Sequence, residues 1–235
     1  MYLPNTLHRV EKLFKEHNTI GLLHGNSTLF GMNKQEKTIK APTTDLQAKY
    51  LAYIPYPQPS SFFKRSILNN IGLLNENLHY GMDYDLLVRI ALNYDILQTN
   101  DLFSKYRLHS ESKTKQGLNF AKEWSIVFSK LLRSIPKTED AKKALQILNL
   151  FDSANDKFEV TKQPENIELS LLYFLNTQLH YYYEALELKK TIQIASLIKE
   201  LDKEFYRKEK IRQIFSKSNY LHPSVINLLR NFTRK

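Results

Sequence analysis

The hydrophobic pattern of this chain changes at Gly117, and that change limits the fold more than any other feature. Beyond it, apolar residues recur every three or four positions, as expected for amphipathic helices that cover one another. Before it, apolar runs separated by glycine and proline indicate strands mixed with short helices. The sequence therefore predicts a mixed part at residues 1–115, of α/β or α+β class with a few strands and flanking helices, and an all-α domain at residues 116–235.

The predicted elements are short in the mixed part and longer beyond it. In chain order they are a helix over 4–17, a strand over 20–30 kinked at Gly25, a return strand near 38–40, a helix over 44–53, a helix from Ser60 or Ser61 to Gly72 that carries Phe62 and Phe63, a helix from Asp83 to about 93, strands over 95–98 and 102–108, and then helices over about 120–131, 139–151, 164–186, 191–207 and 225–232.

The net charge is +10, from 34 Lys and Arg against 24 Asp and Glu, and such a balance first suggests a nucleic-acid partner. The basic excess is, however, spread over the whole chain, and no dense basic tract is present. We therefore expect no nucleic-acid partner. A basic surface suits a nucleotide diphosphate, or a weak contact with anionic lipid at the inner face of a membrane.

The chain contains no cysteine, which excludes disulfides, a thiolate nucleophile and a zinc–cysteine site. This composition fits a reducing compartment. No apolar run approaches the roughly 20 residues that a membrane-spanning helix needs. The N-terminal residues lack the charged and apolar regions of a signal peptide. The expected localisation is therefore cytoplasmic.

Residues 80–91 place two carboxylates, Asp83 and Asp85, at the start of an apolar helical pattern. The positive end of a helix dipole favours anions there, and Asp85 is spaced to pair with Arg89 on the same helix face. We interpret Asp83 as a general base that a rigid element presents to a cleft. The alternative is a plain helix cap, for which aspartate is among the best residues.

Three further blocks accompany this stretch in order: residues 57–65 (Pro-Gln-Pro-Ser-Ser-Phe-Phe-Lys-Arg), residues 71–80 (Ile-Gly-Leu-Leu-Asn-Glu-Asn-Leu-His-Tyr) and residues 106–114 (Tyr-Arg-Leu-His-Ser-Glu-Ser-Lys-Thr). Together with the Met-Asp-Tyr-Asp-Leu stretch, they resemble the C-terminal half of the catalytic domain of inverting, family 2 glycosyltransferases of GT-A type. That family often shows Gln-Pro-x-x-Phe-Phe-like, Gly-x-x-x-Glu-like and Tyr-Arg-x-His blocks. The resemblance covers about residues 1–115.

The resemblance implies that a sugar passes from a nucleotide-sugar donor to a hydroxyl of a glycan or lipid-linked acceptor, with inversion, in surface polysaccharide or glycan biosynthesis. Asp83 would be the catalytic base, and His109 a ligand of a divalent cation, Mn or Mg. The predicted substrate-binding residues are Gln58, Tyr80, Met82, Asp85, Arg107 and Lys113. An amide side chain offers the donor and acceptor that sugar hydroxyls need, and the two cations would face phosphates.

The sequence departs from that family in one respect. It contains no glycine-rich βαβ unit, and its Asp-x-Asp triplet, Asp83-Tyr84-Asp85, belongs to a different block. We therefore expect the N-terminal nucleotide-binding half to be absent from this chain, and the isolated chain to be inactive. Two alternatives stay open: a catalytically inactive module that binds glycan or nucleotide sugar, and an interaction scaffold formed by residues 116–235. Homo-oligomerisation through the helical region is also open.

Overall fold

The structure is a computed structural model that describes residues 1–31, 34–107 and 116–233. Its elements in chain order are α1 Thr6–Glu16, β1 Ile20–Gly31, β2 Lys34–Ile39, α2 Leu46–Ala52, β3 Ser61–Phe63, α3 Leu68–Ile71, α4 Met82–Ala91, β4 Asp95–Arg107, α5 Gly117–Ser134, α6 Glu139–Ile147, α7 Ile167–Glu184, α8 Leu188–Leu201, α9 Lys203–Lys208, α10 Ile211–Tyr220 and α11 Pro223–Thr233. The mixed helix and strand content, and the helical region after residue 116, agree with the predicted fold class.

Strand β1 lies at the centre of the sheet. Strand β4 runs parallel to it along one edge, while β3 and β2 pair antiparallel with its first and second halves on the other edge. The predicted kink at Gly25 coincides with a shift in the β1–β4 register between His24 and Asn26. A Cβ atom at Gly25 would lie 2.5 Å from the carbonyl oxygen of Asp101 and 2.7 Å from the ring of Phe103. Glycine is therefore required where the two strands approach each other closely.

A small core covers one face of the sheet, where Val10 and Leu13 of α1 pack with Leu23 and Phe103. This arrangement explains the apolar stripe of α1, which the sequence pattern predicts. The other face of the sheet belongs to a much larger core that contains Leu22 of β1 and most of the helices.

The larger core is continuous across residues 115 and 116. It joins Leu51 of α2 and Val88 of α4 to Phe128 of α5 and Phe174 of α7, and the two phenylalanine rings stack with centroids 4.1 Å apart. The hydroxyl of Tyr84 donates a 2.6 Å hydrogen bond to the carbonyl of Leu51, and the same ring lies 4.6 Å from that of Trp124. The division of the chain at residue 115 stays a prediction from the pattern, and apolar packing crosses it.

The predicted and observed elements differ at four places. Residues 61–63 form strand β3 rather than the start of a helix, because they pair with residues 22–24 of β1. The two strands expected over 95–108 are one strand, β4. The helix expected over 191–207 ends at Asp202, whose carboxylate caps α9 by accepting from the amides of Glu204 and Phe205. Helix α10 has no counterpart among the predicted elements.

Within the described ranges, no helix combines the length and the apolar character required to cross a bilayer.

Candidate functional site

A cavity of about 1150 Å³ opens beside the N-terminal half of α4. One side is formed by residues 54–63, which lead into and include β3, and another by the loop of residues 73–82 that enters α4. Leu22 of β1, Tyr106 of β4 and Phe120 of α5 complete the walls. The cavity is thus built from the sheet, the α4 region and the first helix of the helical part.

Asp83 lies on the wall of this cavity, in the first turn of α4. Gly81 occupies the N-cap position, so Asp83 is not the cap that the alternative interpretation required. Its Oδ1 atom accepts a 2.8 Å hydrogen bond from the amide of Tyr84, and Oδ2 accepts a 3.0 Å bond from Nε2 of Gln58. Each carboxylate oxygen has two lone pairs, so both keep capacity for a hydroxyl group.

Burial raises the pKa of Asp83 above its ordinary value. The hydrogen bonds from Tyr84 and Gln58 oppose this effect, because they favour the ionised form, whereas the negative charge of Glu123 adds to it. The net result is a carboxylate that holds a proton more strongly than an exposed aspartate does. Such a shift improves a general base that must accept a proton near neutral pH.

Gln58 reaches Asp83 because a short 3₁₀ turn, Gln58–Ser60, fixes its backbone. Pro57 and Pro59 flank Gln58 and restrict the path of the chain. The hydroxyl of Ser61 donates a 2.8 Å hydrogen bond to the carbonyl of Gln58 and closes the turn. The structure therefore brings together Asp83 and Gln58, which are 25 residues apart in the sequence.

The start of α4 is held by side chains of α5. One carboxylate oxygen of Glu123 accepts from the amides of Tyr80 and Gly81 at 2.6 and 2.8 Å, which satisfies free donors at the helix end. The indole of Trp124 donates a 3.1 Å bond to the carbonyl of Tyr80. Helix α5 thus fixes the backbone two residues before Asp83. Glu123 could not be predicted from the sequence, because its contacts span more than 40 residues and it belongs to no motif.

Arg89 of α4 does not line the cavity, but it holds a loop that does. Its Nε donates a 2.9 Å hydrogen bond to the Asp85 carboxylate, and its Nη2 lies 2.7 Å from the same carboxylate oxygen. It also donates to the carbonyls of residues 71, 72 and 73 at 2.6, 3.0 and 2.9 Å. The predicted pairing of Asp85 with Arg89 is confirmed, and Arg89 also fastens the loop that carries Leu73 and Leu74 along the cavity.

The other predicted site residues are distributed as follows. Tyr80 and Met82 line the cavity beside Asp83, and the Tyr80 ring packs edge-on against Phe120 at 5.1 Å. The Asp85 carboxylate is 4% exposed and is turned to Arg89, so it is unavailable to a ligand of the cavity. Arg107 is exposed at the end of β4, away from the cavity wall that its neighbour Tyr106 forms. His109 and Lys113 lie outside the described residues.

The divalent cation implied by the family resemblance has no binding group among the described residues. Across residues 1–31, 34–107 and 116–233, no three histidine or carboxylate side chains are grouped so that they could hold a metal ion. The predicted ligand His109 falls outside these ranges, so Mn or Mg binding stays a prediction.

Comparison with known proteins gives one partial similarity. Over 81 residues, the chain is 31% identical to a protein of Rickettsia typhi described as an uncharacterized glycosyltransferase, and the match covers 34% of this chain and 24% of that protein. The chain thus spans about a quarter of the length of this relative. No protein-family model matches the chain, and no solved structure does. The similarity suggests a relationship to glycosyltransferases without assigning a family.

Proposed function

We propose that this chain forms the acceptor side of a glycosyltransferase, in which Asp83 removes the proton from the attacking hydroxyl. The sugar would come from a nucleotide-sugar donor and pass to an acceptor hydroxyl with inversion, in the synthesis of surface polysaccharide or another glycan. The partial similarity to a glycosyltransferase supports the transferase class. Family 2 membership, GT-A type and inversion rest on the order of the sequence blocks.

The observation that carries the proposal is the position of the Asp83 carboxylate. It lies on the wall of a cavity large enough for a sugar, it is oriented by Gln58, and burial raises its pKa. A general base needs these three properties: access to substrate, fixed geometry and a proton affinity matched to its task. The helix N-terminus and the contacts from α5 supply the rigid support.

In the proposed reaction, the acceptor hydroxyl donates a hydrogen bond to Asp83 and attacks the anomeric carbon of the donor sugar. A new carbon–oxygen bond forms while the bond to the nucleoside diphosphate breaks, and the electron pair leaves with the diphosphate. The hydroxyl proton moves to Asp83. A single displacement of this kind inverts the anomeric configuration. Gln58 remains able to bond a second sugar hydroxyl through its carbonyl oxygen.

Positive charge for the leaving diphosphate is proposed to come from Arg107 and Lys113. Arg107 ends strand β4, directly after the cavity residue Tyr106. Reduction of diphosphate affinity on Arg107→Ala, with unchanged acceptor affinity, would support this assignment. Equal loss of both affinities would instead indicate a structural role.

The test of the proposed function is the Asp83→Asn variant. Release of nucleoside diphosphate is measured with a panel of nucleotide sugars and acceptors, in the native protein. We expect the rate to fall by about 10²–10⁴-fold, the range that a positioned general base contributes. The control is Asp140→Asn, because Asp140 also lies in the first turn of a helix, α6, but on the surface. Near-normal turnover in Asp83→Asn would refute the role.

Loss of fold can be separated from loss of chemistry in this variant. Because the pKa of Asp83 is raised in the folded state, the folded protein binds the proton more tightly than the unfolded chain. The ionised carboxylate therefore lowers stability at neutral pH, and stability recovers as the pH falls through the raised pKa. The Asp83→Asn protein should unfold at a midpoint equal to or above that of the wild type.

A further inference from the structure

We infer that Ser60 is a positioning residue for Asp83, because Ser60 and Ser104 attach the turn that carries Gln58 to the sheet. The role of Asp83 as a general base rests on the proposed function. The contacts that lead from the sheet through Ser60 and Gln58 to the Asp83 carboxylate do not depend on any particular reaction.

Three serine hydroxyls form a buried row that leads from the sheet to the turn of residues 58–60. Ser27 of β1, Ser104 of β4 and Ser60 of the turn are each 0% exposed. The hydroxyl oxygen of Ser104 lies 2.9 Å from that of Ser27 and 2.7 Å from that of Ser60. The row therefore joins the turn to two neighbouring strands through side chains that water does not reach.

The direction of the hydrogen bonds in this row follows from the number of protons. The Ser60 hydroxyl has a single proton and donates it to the carbonyl of Asn26 at 2.6 Å, since a carbonyl oxygen can only accept. Ser104 must therefore donate to Ser60. The proton of Ser27 is left for Ser104, whose hydroxyl and carbonyl oxygens lie 2.9 and 3.1 Å from the Ser27 oxygen. Ser60 thus both donates and accepts at the end of the row.

The turn lies at the end of the β1–β3 ladder, where these side-chain bonds matter most. The paired residue nearest to the turn is Ser61, opposite His24. Within the turn, the amide of Ser60 donates a 2.9 Å bond to the carbonyl of Pro57. That bond fixes the shape of the turn, whereas the two bonds of the Ser60 hydroxyl attach it to the sheet. Loss of this hydroxyl should therefore let Gln58 move relative to α4.

Movement of Gln58 has a measurable consequence at Asp83. The bond from Gln58 favours the ionised carboxylate, so its loss should raise the already elevated pKa of Asp83 further. A serine substitution changes the charge of no other titratable group around Asp83, so the pKa reports on Gln58. Those groups are Tyr56, Glu76, His79, Tyr80, Glu123 and Tyr181.

The experiment measures the pKa of the Asp83 carboxyl by carbon-13 NMR titration of the full chain, with its signal identified by comparison with Asp83→Asn. We expect the pKa of Asp83 in Ser60→Ala to be higher than in the wild type and to approach that in Gln58→Ala. Turnover of the native protein should fall about 2–10-fold, the factor that one hydrogen bond corresponds to, and the acid limb of its pH–rate profile should move to higher pH.

Ser129→Ala is the matched control. Ser129 of α5 is also 0% exposed, and its hydroxyl also donates once and accepts once, to the carbonyl of Ser125 at 2.7 Å and from the amide of Asp152 at 2.9 Å. It does not line the cavity. Its replacement should lower stability comparably and leave the pKa of Asp83 unchanged, so a shift confined to Ser60→Ala reports on positioning and not on loosened packing in general.

A double variant tests whether Ser60 acts through Gln58. In Ser60→Ala/Gln58→Ala, the pKa of Asp83 should equal that in Gln58→Ala alone, because the bond that Ser60 supports is already gone. An unchanged Asp83 pKa in Ser60→Ala, an equal shift in Ser129→Ala, or an additional shift in the double variant would overturn the inference.

If Ser60→Ala fails to fold, Ser104→Ala takes its place. It removes one bond to Ser60 and keeps the bond from Ser60 to Asn26. It should raise the pKa of Asp83 by less than Gln58→Ala does, and an unchanged pKa would be equally decisive against the inference.

This outcome is separable from that of the proposed function, because the NMR titration requires no transfer reaction. A raised Asp83 pKa in Ser60→Ala together with near-normal turnover in Asp83→Asn would refute the proposed function and leave the positioning role intact. Loss of turnover in Asp83→Asn together with an unchanged Asp83 pKa in Ser60→Ala would refute this inference alone.

Discussion

Replacement of Arg89 by methionine should be among the most destabilising changes in α4. The Asp85 carboxylate is 4% exposed and accepts a hydrogen bond from Nε of Arg89, whose Nη2 lies 2.7 Å away; the Arg89 side chain is itself 12% exposed. Removal of one partner from a buried ion pair leaves the other charge uncompensated, at a cost of about 3–5 kcal/mol. For a chain of this size, each kcal/mol lowers the melting temperature by about 2–4 °C, so a fall of about 6–20 °C is expected.

The assay is urea unfolding followed by circular dichroism and by the fluorescence of Trp124, the single tryptophan of the chain. Trp124 packs against Tyr84 of α4, so it reports on the same region. Lys15→Met serves as the control. Lys15 pairs with Glu11 at the same i, i+4 spacing, but the side chains are 72% and 61% exposed. We expect a midpoint close to that of the wild type, because exposed pairs contribute little.

A third variant separates the buried charge from the loop contacts. In Asp85→Asn/Arg89→Met the uncompensated charge is gone, so the double variant should be more stable than Arg89→Met alone. Arg89→Lys keeps the charge but loses most of the bonds to the loop, and its stability should lie between that of Arg89→Met and wild type. A loss below about 1 kcal/mol in Arg89→Met, the range of surface pairs, would refute the reasoning.

Three further predictions concern the site and the sheet. Gln58→Glu places a second carboxylate beside Asp83 and raises its pKa further, so the acid limb of the pH–rate profile should move to higher pH; an unmoved limb would mean that Asp83 does not set it. Glu123→Ala removes the acceptor shared by two amides at the start of α4, so it should lower the free energy of unfolding by about 1–3 kcal/mol and also lower kcat. Glu123→Gln retains an oxygen acceptor and should keep most of the stability and of kcat. Equal effects of the two variants would exclude the capping role. Gly25→Ala should lower the free energy of unfolding in urea by about 1–3 kcal/mol, because the added Cβ atom overlaps the neighbouring strand. An unchanged free energy of unfolding would show that β4 moves aside freely.

The parts of the fold that follow from local pattern were predictable from the sequence. The helical stripe of α1, the α4 start and the bonding of Asp85 to Arg89 depend on spacing within a few residues. Residues 61–63 were assigned to a helix because serine followed by apolar residues is typical of a helix start. Their strand conformation comes from pairing with β1, some 40 residues earlier, which no local signal contains.

The break between α8 and α9, unlike the strand at residues 61–63, has a local signal in the sequence. Asp202 caps α9 through its side chain, and aspartate is among the residues preferred at a helix N-cap. The continuous periodicity from Ile194 to Phe205 hid it. In the candidate site, Asp83 and Gln58 could be selected from residue type, whereas the contacts of Glu123 and Trp124 required the fold.

The core that runs from α2 and α4 into α5 and α7 limits how this protein can evolve. Neither part of the sequence can be exchanged for that of another protein without repacking the other, because each covers the apolar surface of its neighbour. Substitutions at Leu51 and Val88 should therefore be accompanied by compensating changes at Phe128 and Phe174 in related chains. Recombination at the junction near residue 115 would be selected against, although the sequence pattern changes there.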